Sequence, residues 1–175
     1  MKVVTGKVRF SYVNVFQPRA AAEGQEPKYS VCIMIPKSDK ETVKKIQEAI
    51  EKVKEENKNL WGGSTNIKTP LRDGDEERKD KPEFAGHYFI NASTKIKPGV
   101  VDKDLNPILE QSEFYSGCYG RASLNFYAYN KAGNKGIGCG LRNLQKLADG
   151  EPLGGQSRPE DDFEAVEDDL EDMLA

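Results

Sequence analysis

Histidine is almost absent from this chain: His87 is the only one. A histidine-rich metal site is thereby excluded. A Ser/His/Asp triad would have to recruit His87 without any GxSxG elbow to present its serine. Cysteine is equally sparse. Cys32, Cys118 and Cys139 are odd in number, widely spaced and free of CxxC pairing, so we expect unpaired core residues in a reducing compartment. No apolar run approaches the roughly 18–20 residues that span a bilayer. No signal-peptide pattern precedes the first strand-like segment, so the expected setting is the cytoplasm, with no membrane partner. The glycine-rich stretch Gly136-Ile137-Gly138-Cys139-Gly140 carries no GK[ST], which removes a phosphate loop. Glycines easing the curvature of a barrel strand are the expected reading there. No cofactor is implied.

The last absence is of positive charge at one end. Glu160 to Ala175 contains nine carboxylates and no lysine or arginine. The rest of the chain holds all 26 basic residues against 20 acidic ones, about +6, while the whole carries −3. A basic body with an acidic terminus points to a polyanionic ligand for which the terminus competes.

Alternation of apolar and polar residues predicts strands over Lys2–Phe16, Lys28–Ile35, Gly86–Lys97, Cys118–Asn130 and Lys135–Leu144. In the first, Val4, Val8, Phe10 and Tyr12 share one parity. Pro18 to Pro27 reads as a loop. One amphipathic helix is predicted at about 38–57, opened by a Ser38–Glu41 capping box and carrying Val43, Ile46, Ala49, Ile50 and Val53 on one stripe. Asn66 to Phe84 reads as a charged excursion. Five or more strands with one helix and terminal antiparallel hairpins predict an all-β sandwich or small barrel of residues 1–150, followed by a linker over 151–159 and the acidic tail.

Splitting Cys118–Tyr129 by parity yields an apolar face (Cys118, Gly120, Ala122, Leu124, Phe126, Ala128). The opposite face holds Tyr119, Arg121, Ser123, Asn125, Tyr127 and Tyr129. Aromatic rings there can stack on unpaired bases, while arginine meets phosphate. In His87–Lys97 the same split puts Phe89 outward beside Asn91, Ser93, Lys95 and Lys97. Phe89, Tyr119, Tyr127 and Tyr129 are the predicted stacking residues. Arg121, Lys95 and Lys97 are the predicted phosphate partners, with Asn125 between them. Lys7, Arg9, Lys28, Lys131, Lys135 and Arg142 could extend a positive groove.

In the tail, Phe163, Val166, Leu170 and Leu174 recur at helical spacing among acids that include Asp168 and Asp169, the pattern of a docking peptide that folds on a protein partner. By itself such a peptide is expected to be disordered. Two other readings compete. One is an acidic-tailed assembly protein; the other is a metal-dependent nuclease built on Asp73-Gly74-Asp75-Glu76-Glu77, although interleaved Arg72, Arg78, Lys79 and Lys81 favour a solvated charged loop. Oligomeric state stays open, a homodimer included.

Three segments together resemble a known family. They are Phe10-Ser11-Tyr12-Val13-Asn14-Val15-Phe16-Gln17-Pro18, Lys28-Tyr29-Ser30-Val31 leading to Ile35-Pro36-Lys37, and Gly150-Glu151-Pro152-Leu153-Gly154-Gly155 before an acidic end. The chain is similar to phage-type single-stranded DNA-binding proteins over nearly its whole length. That resemblance implies an OB-fold, an antiparallel five-stranded barrel with an additional helix. It also implies binding of single-stranded DNA without sequence preference, no catalysis, and an acidic tail that contacts replication or recombination proteins and occupies the DNA groove. Members of that family end in an aromatic residue, whereas this chain ends Met173-Leu174-Ala175 and has Phe163 as its tail aromatic.

Overall fold

The computed structural model describes residues 1–20, 22–64, 66–153, 163, 164 and 166. Its strands are β1 (Lys2–Val4), β2 (Val8–Arg19), β3 (Lys28–Pro36), β4 (Arg72–Asp73), β5 (His87–Thr94), β6 (Gly99–Val101), β7 (Tyr119–Lys131) and β8 (Asn134–Ala148). Helix α1 spans Lys40–Glu56 and α2 is the single turn Gly74–Glu77. Short 3-10 turns cover Lys58–Trp61 and Pro82–Phe84.

Five strands close into a ring: β2 pairs β3, β3 pairs β5, β5 pairs β8, β8 pairs β7, and β7 returns to β2. Four of these seams are antiparallel, as expected, but β5 meets β8 in parallel at Ser93 and Gly140. The last ring strand thus lies between the third and fourth, a Greek-key closure that leaves no open edge in the ring. Period-two alternation decides what fills it. Val31 faces Ala92 across β3 and β5, while Val3, Leu124 and Leu141 form a row across β1, β7 and β8, and all are buried. Phe10, Ile33, Ile35, Ile90 and Phe126 extend the same core.

Helix α1 lays Val43, Ile46, Ala49, Ile50 and Val53 on that core, as its spacing predicted. Burying each of the larger side chains is worth about 1.5–3 kcal/mol. Its cap differs from expectation. Asp39, not Ser38, holds the N-cap: its carboxylate accepts from the Thr42 amide at 3.2 Å and from the Thr42 hydroxyl at 2.6 Å. A carboxylate at a helix start also meets the positive end of the helix dipole.

The first expected strand is broken in two. Thr5 is fully buried and its hydroxyl accepts from the Ala122 amide at 3.0 Å, turning the chain at Gly6 before β2 begins. Val3 rather than Val4 therefore faces the core. A second shift falls between Ser11, opposite Cys32, and Asn14, opposite Ser30. There Tyr12 adopts φ 49° and its ring points to solvent. That left-handed backbone costs a non-glycine residue about 1–2 kcal/mol.

The charged excursion is not merely solvated. Asp73 and Asp75 converge on the Lys37 ammonium, each at 2.7 Å. Those hydrogen bonds hold Asp75 below the usual carboxylate range and Lys37 above the usual ammonium range. The excursion delivers Phe84 as a fully buried plug on the outside of β3 and β5, where Cys32, Met34 and Phe89 form a second apolar cluster. The segment after β8 is also held. The Tyr115 hydroxyl donates to Asp149 at 3.0 Å and accepts from the Gly150 amide at 3.1 Å. Leu153 packs on the second cluster and its amide donates to the Ser116 carbonyl at 2.8 Å. The expected linker thus begins as docked chain through Leu153.

Candidate nucleic-acid interface

The β7–β8 hairpin explains the glycine run. Tyr127 lies opposite Gly138 and Tyr129 opposite Gly136. A Cβ on Gly138 would sit 2.5 Å from the Tyr127 ring, and one on Gly136 would sit 2.6 Å from the Tyr129 hydroxyl. Bare backbone here does more than ease curvature: it lets each ring lie over its cross-strand neighbour. The two ring centroids are 6.5 Å apart with planes tilted by 54°. Tyr127 keeps 46% of its surface open. Burial of the remainder pushes its phenol above the usual range. Below this pair, Trp61 donates to the Tyr129 carbonyl at 3.0 Å and Lys135 donates to the Trp61 carbonyl at 3.1 Å, fixing the hairpin to the 3-10 turn.

Beside the rings, the tips of the β2–β3 and β7–β8 hairpins border a depression of about 520 Å³. Ser30 and Ser93, paired across β3 and β5, line it. Arg19, Lys28, Lys95 and Lys131 surround it, exposed and drawn from separate elements. Lys95 pairs with Glu26 at 2.9 Å, and this contact holds Glu26 below the usual carboxylate range. Of the expected residues, Tyr127, Tyr129 and Lys95 thus gather at one end of the barrel. Lys97 is exposed on the turn that follows β5. Arg19 and Glu26 escaped the sequence reading because they sit in a segment that showed only loop character. The signal available was the juxtaposition of two hairpin tips, which follows from Greek-key closure rather than from local pattern.

The other end of the same β7 face is different. The Tyr119 ring lies between Lys7 and Arg9, whose charged groups are 5.2 and 5.3 Å from its centroid. Arg9 also donates to the Gly117 carbonyl at 3.1 Å and to the Glu151 carbonyl at 2.7 Å. Arg121 donates to the Thr5 carbonyl at 3.0 Å, and the Asn125 side chain accepts from the terminal ammonium of Met1 at 2.9 Å. Phe89 requires correction. It is buried rather than outward, edge-on to Phe84 at 5.3 Å with Arg78 over its face at 4.9 Å. The excursion covers that stretch of β5, which no reading of β5 alone could reveal.

In the tail, Phe163 and Val166 are exposed, at 75% and 87%. Asp168, Asp169, Leu170 and Leu174 lie outside the described residues.

A closed five-stranded Greek-key barrel with cationic hairpin tips and the exposed Tyr127 beside them defines an OB-fold protein with a basic cleft at its loops. Comparison with known proteins places it further. The chain belongs to the family of the Enterobacter phage Enc34 ssDNA-binding protein, whose family model matches residues 1–174. It is similar to the single-stranded DNA-binding protein of bacteriophage Enc34 solved in complex with ssDNA, at 28% identity and a TM-score of 0.76, covering 87% of this chain and 89% of that one. A curated relative, protein p50 of Acyrthosiphon pisum secondary endosymbiont phage 1, is 32% identical over 167 residues, 89% of this chain and 88% of its own length. The gp2.5 single-stranded DNA-binding protein of bacteriophage T7 shares the fold, with a TM-score of 0.63 at 12% identity over 94% of this chain and 98% of that one.

Proposed function

We propose that this protein binds single-stranded DNA without sequence preference, in phage DNA replication and recombination, and that it performs no catalysis. The observation that carries this reading is the pair Tyr127 and Tyr129, spread over glycines beside a cleft ringed by four cations. Flat rings accept any base, and lysine or arginine accepts any phosphate, so the combination recognises the polymer rather than its sequence. The family match and the likeness to a protein solved with ssDNA support the same assignment. Among the described residues no helix is long and apolar enough to cross a membrane, and the proposed setting is the cytoplasm of an infected bacterial cell.

The acidic tail is proposed to dock replication or recombination proteins through Phe163, Val166, Leu170 and Leu174, and to compete with DNA for the basic cleft through its carboxylates. The nuclease alternative loses support because the Lys37 ammonium already bridges Asp73 and Asp75. A titration of labelled oligothymidylate and of duplex, with and without Mg²⁺, tests the reading. We expect saturable binding of the single strand without degradation, weakening with salt by about 0.7 log units per log unit of salt for each phosphate engaged. Deleting Pro159–Ala175 is expected to tighten that binding. No affinity for single strands in either form would refute the assignment.

A further inference from the structure

Tyr12 combines three features that the core does not explain. Its backbone is left-handed, φ 49°, at the irregularity in β2 where glycine or asparagine would sit with least strain. Its side chain is half exposed, at 50%, so the ring does not fill the barrel. Its partner is a cation from another element: the Lys81 ammonium lies 4.9 Å from the ring centroid and donates to the phenol oxygen. Strain retained around an exposed aromatic is characteristic of ligand-binding positions.

Position adds to this. The Asn14 side chain donates to the Tyr12 carbonyl at 3.2 Å. Asn14 lies opposite Ser30, and Ser30 opposite Ser93, the two serines that line the basic cleft. A strip of small polar side chains, Ser93, Ser30 and Asn14, therefore runs from the cleft to the foot of Tyr12. Past the ring stands Lys81, half-buried on the excursion between β4 and β5.

We propose that Tyr12 is a second base-stacking site for single-stranded DNA, with Lys81 as its phosphate partner, at the far end of a path that begins at Tyr127. This rests on the single-strand reading of the cleft. When DNA arrives, a base stacks on the open ring face, and the Lys81 ammonium, which sits at the phenol edge, turns to the backbone phosphate. The site makes use of the strained bulge: the left-handed turn carries the ring out of the sheet plane, where a regular strand would have sent it inward or along the surface.

The test is Tyr12→Asn, which suits the left-handed backbone and removes the ring. Affinity for a ladder of oligothymidylates is measured beside the thermal midpoint, with Tyr127→Ala as reference. We expect the midpoint of Tyr12→Asn to stay level or rise. Its affinity should fall about 5- to 150-fold on long oligomers, the range of one lost base stack, and remain unchanged on the shortest ones that bind. Tyr12→Phe should keep wild-type affinity. Wild-type affinity of Tyr12→Asn at every length, with Tyr127→Ala impaired, overturns the second site and leaves the cleft standing. Loss at neither position overturns the cleft reading itself. A lower midpoint with an equal loss at all lengths assigns Tyr12 a structural role and likewise overturns the proposal.

Discussion

The two ends of the outer face of β7 are built from the same residue types to opposite effect. At Tyr119 and Arg121 the aromatic and the guanidinium are already engaged, one between Lys7 and Arg9, the other on the Thr5 carbonyl. At Tyr127 and Tyr129 the rings lie on glycines, and the neighbouring cations face a cleft, Lys95 among them paired with Glu26. A tyrosine that has satisfied its ring with the protein's own cations contributes to stability. One laid on bare backbone offers its outer face to a ligand. What distinguishes them is not a glycine alone, since the Tyr119 ring lies against Gly150, but the residue opposite: Arg9 faces Tyr119 from β2, whereas Gly138 faces Tyr127 from β8.

The sharpest way to break this contrast is to truncate each ring in turn. Tyr127→Ala should weaken single-strand binding by about 1–3 kcal/mol in a fluorescence-anisotropy titration at fixed salt, whereas Tyr119→Ala should leave affinity nearly level. Equal losses would show that the two ends act alike. A smaller effect is expected from Gly138→Ala. Its methyl would meet the Tyr127 ring at 2.5 Å, and a mobile ring can yield. We expect a nearly constant thermal midpoint and a loss of affinity below that of Tyr127→Ala.

The smallest effect concerns Glu26. Its carboxylate occupies Lys95 as a phosphate would, so Glu26→Gln should tighten binding severalfold, read from the same titration. The pH dependence follows from the depressed Glu26 value. The pair is intact above the ordinary carboxylate range and is lost as pH falls through Glu26's lowered one. Binding of oligothymidylate by the wild type should therefore gain on the glutamine variant as acid neutralises Glu26.

Local pattern carried the architecture a long way. The alternation in β7 is obeyed from Gly120 through Phe126, and the α1 stripe is buried residue for residue. Failures came where one element is covered or bent by another. Phe89 alternates correctly with Ile90, yet both are buried, because Phe84 arrives from the excursion to cover the outer face. Tyr12 shares parity with Val8 and Phe10, yet the shift in register reverses it. The stacking pair was visible as two tyrosines on one face; the reason for their openness lay in the strand opposite. Cleft residues Arg19 and Glu26 had no local signature, since a hairpin tip acquires meaning only when a second tip stands beside it.

Thr5 has a consequence for the order in which the molecule is made. Its hydroxyl and amide bond to the Ala122 peptide unit, a partner 117 residues away, and β2 likewise waits for β7 to close the ring. Contacts of such span form late because a long loop must first be closed. During synthesis the β2–β3 hairpin therefore holds Phe10, Ile33 and Ile35 without their roof until β7 and β8 have emerged. The glycine-backed tyrosines belong to that last hairpin, so the proposed competence for DNA arrives with the closing of the barrel rather than before it.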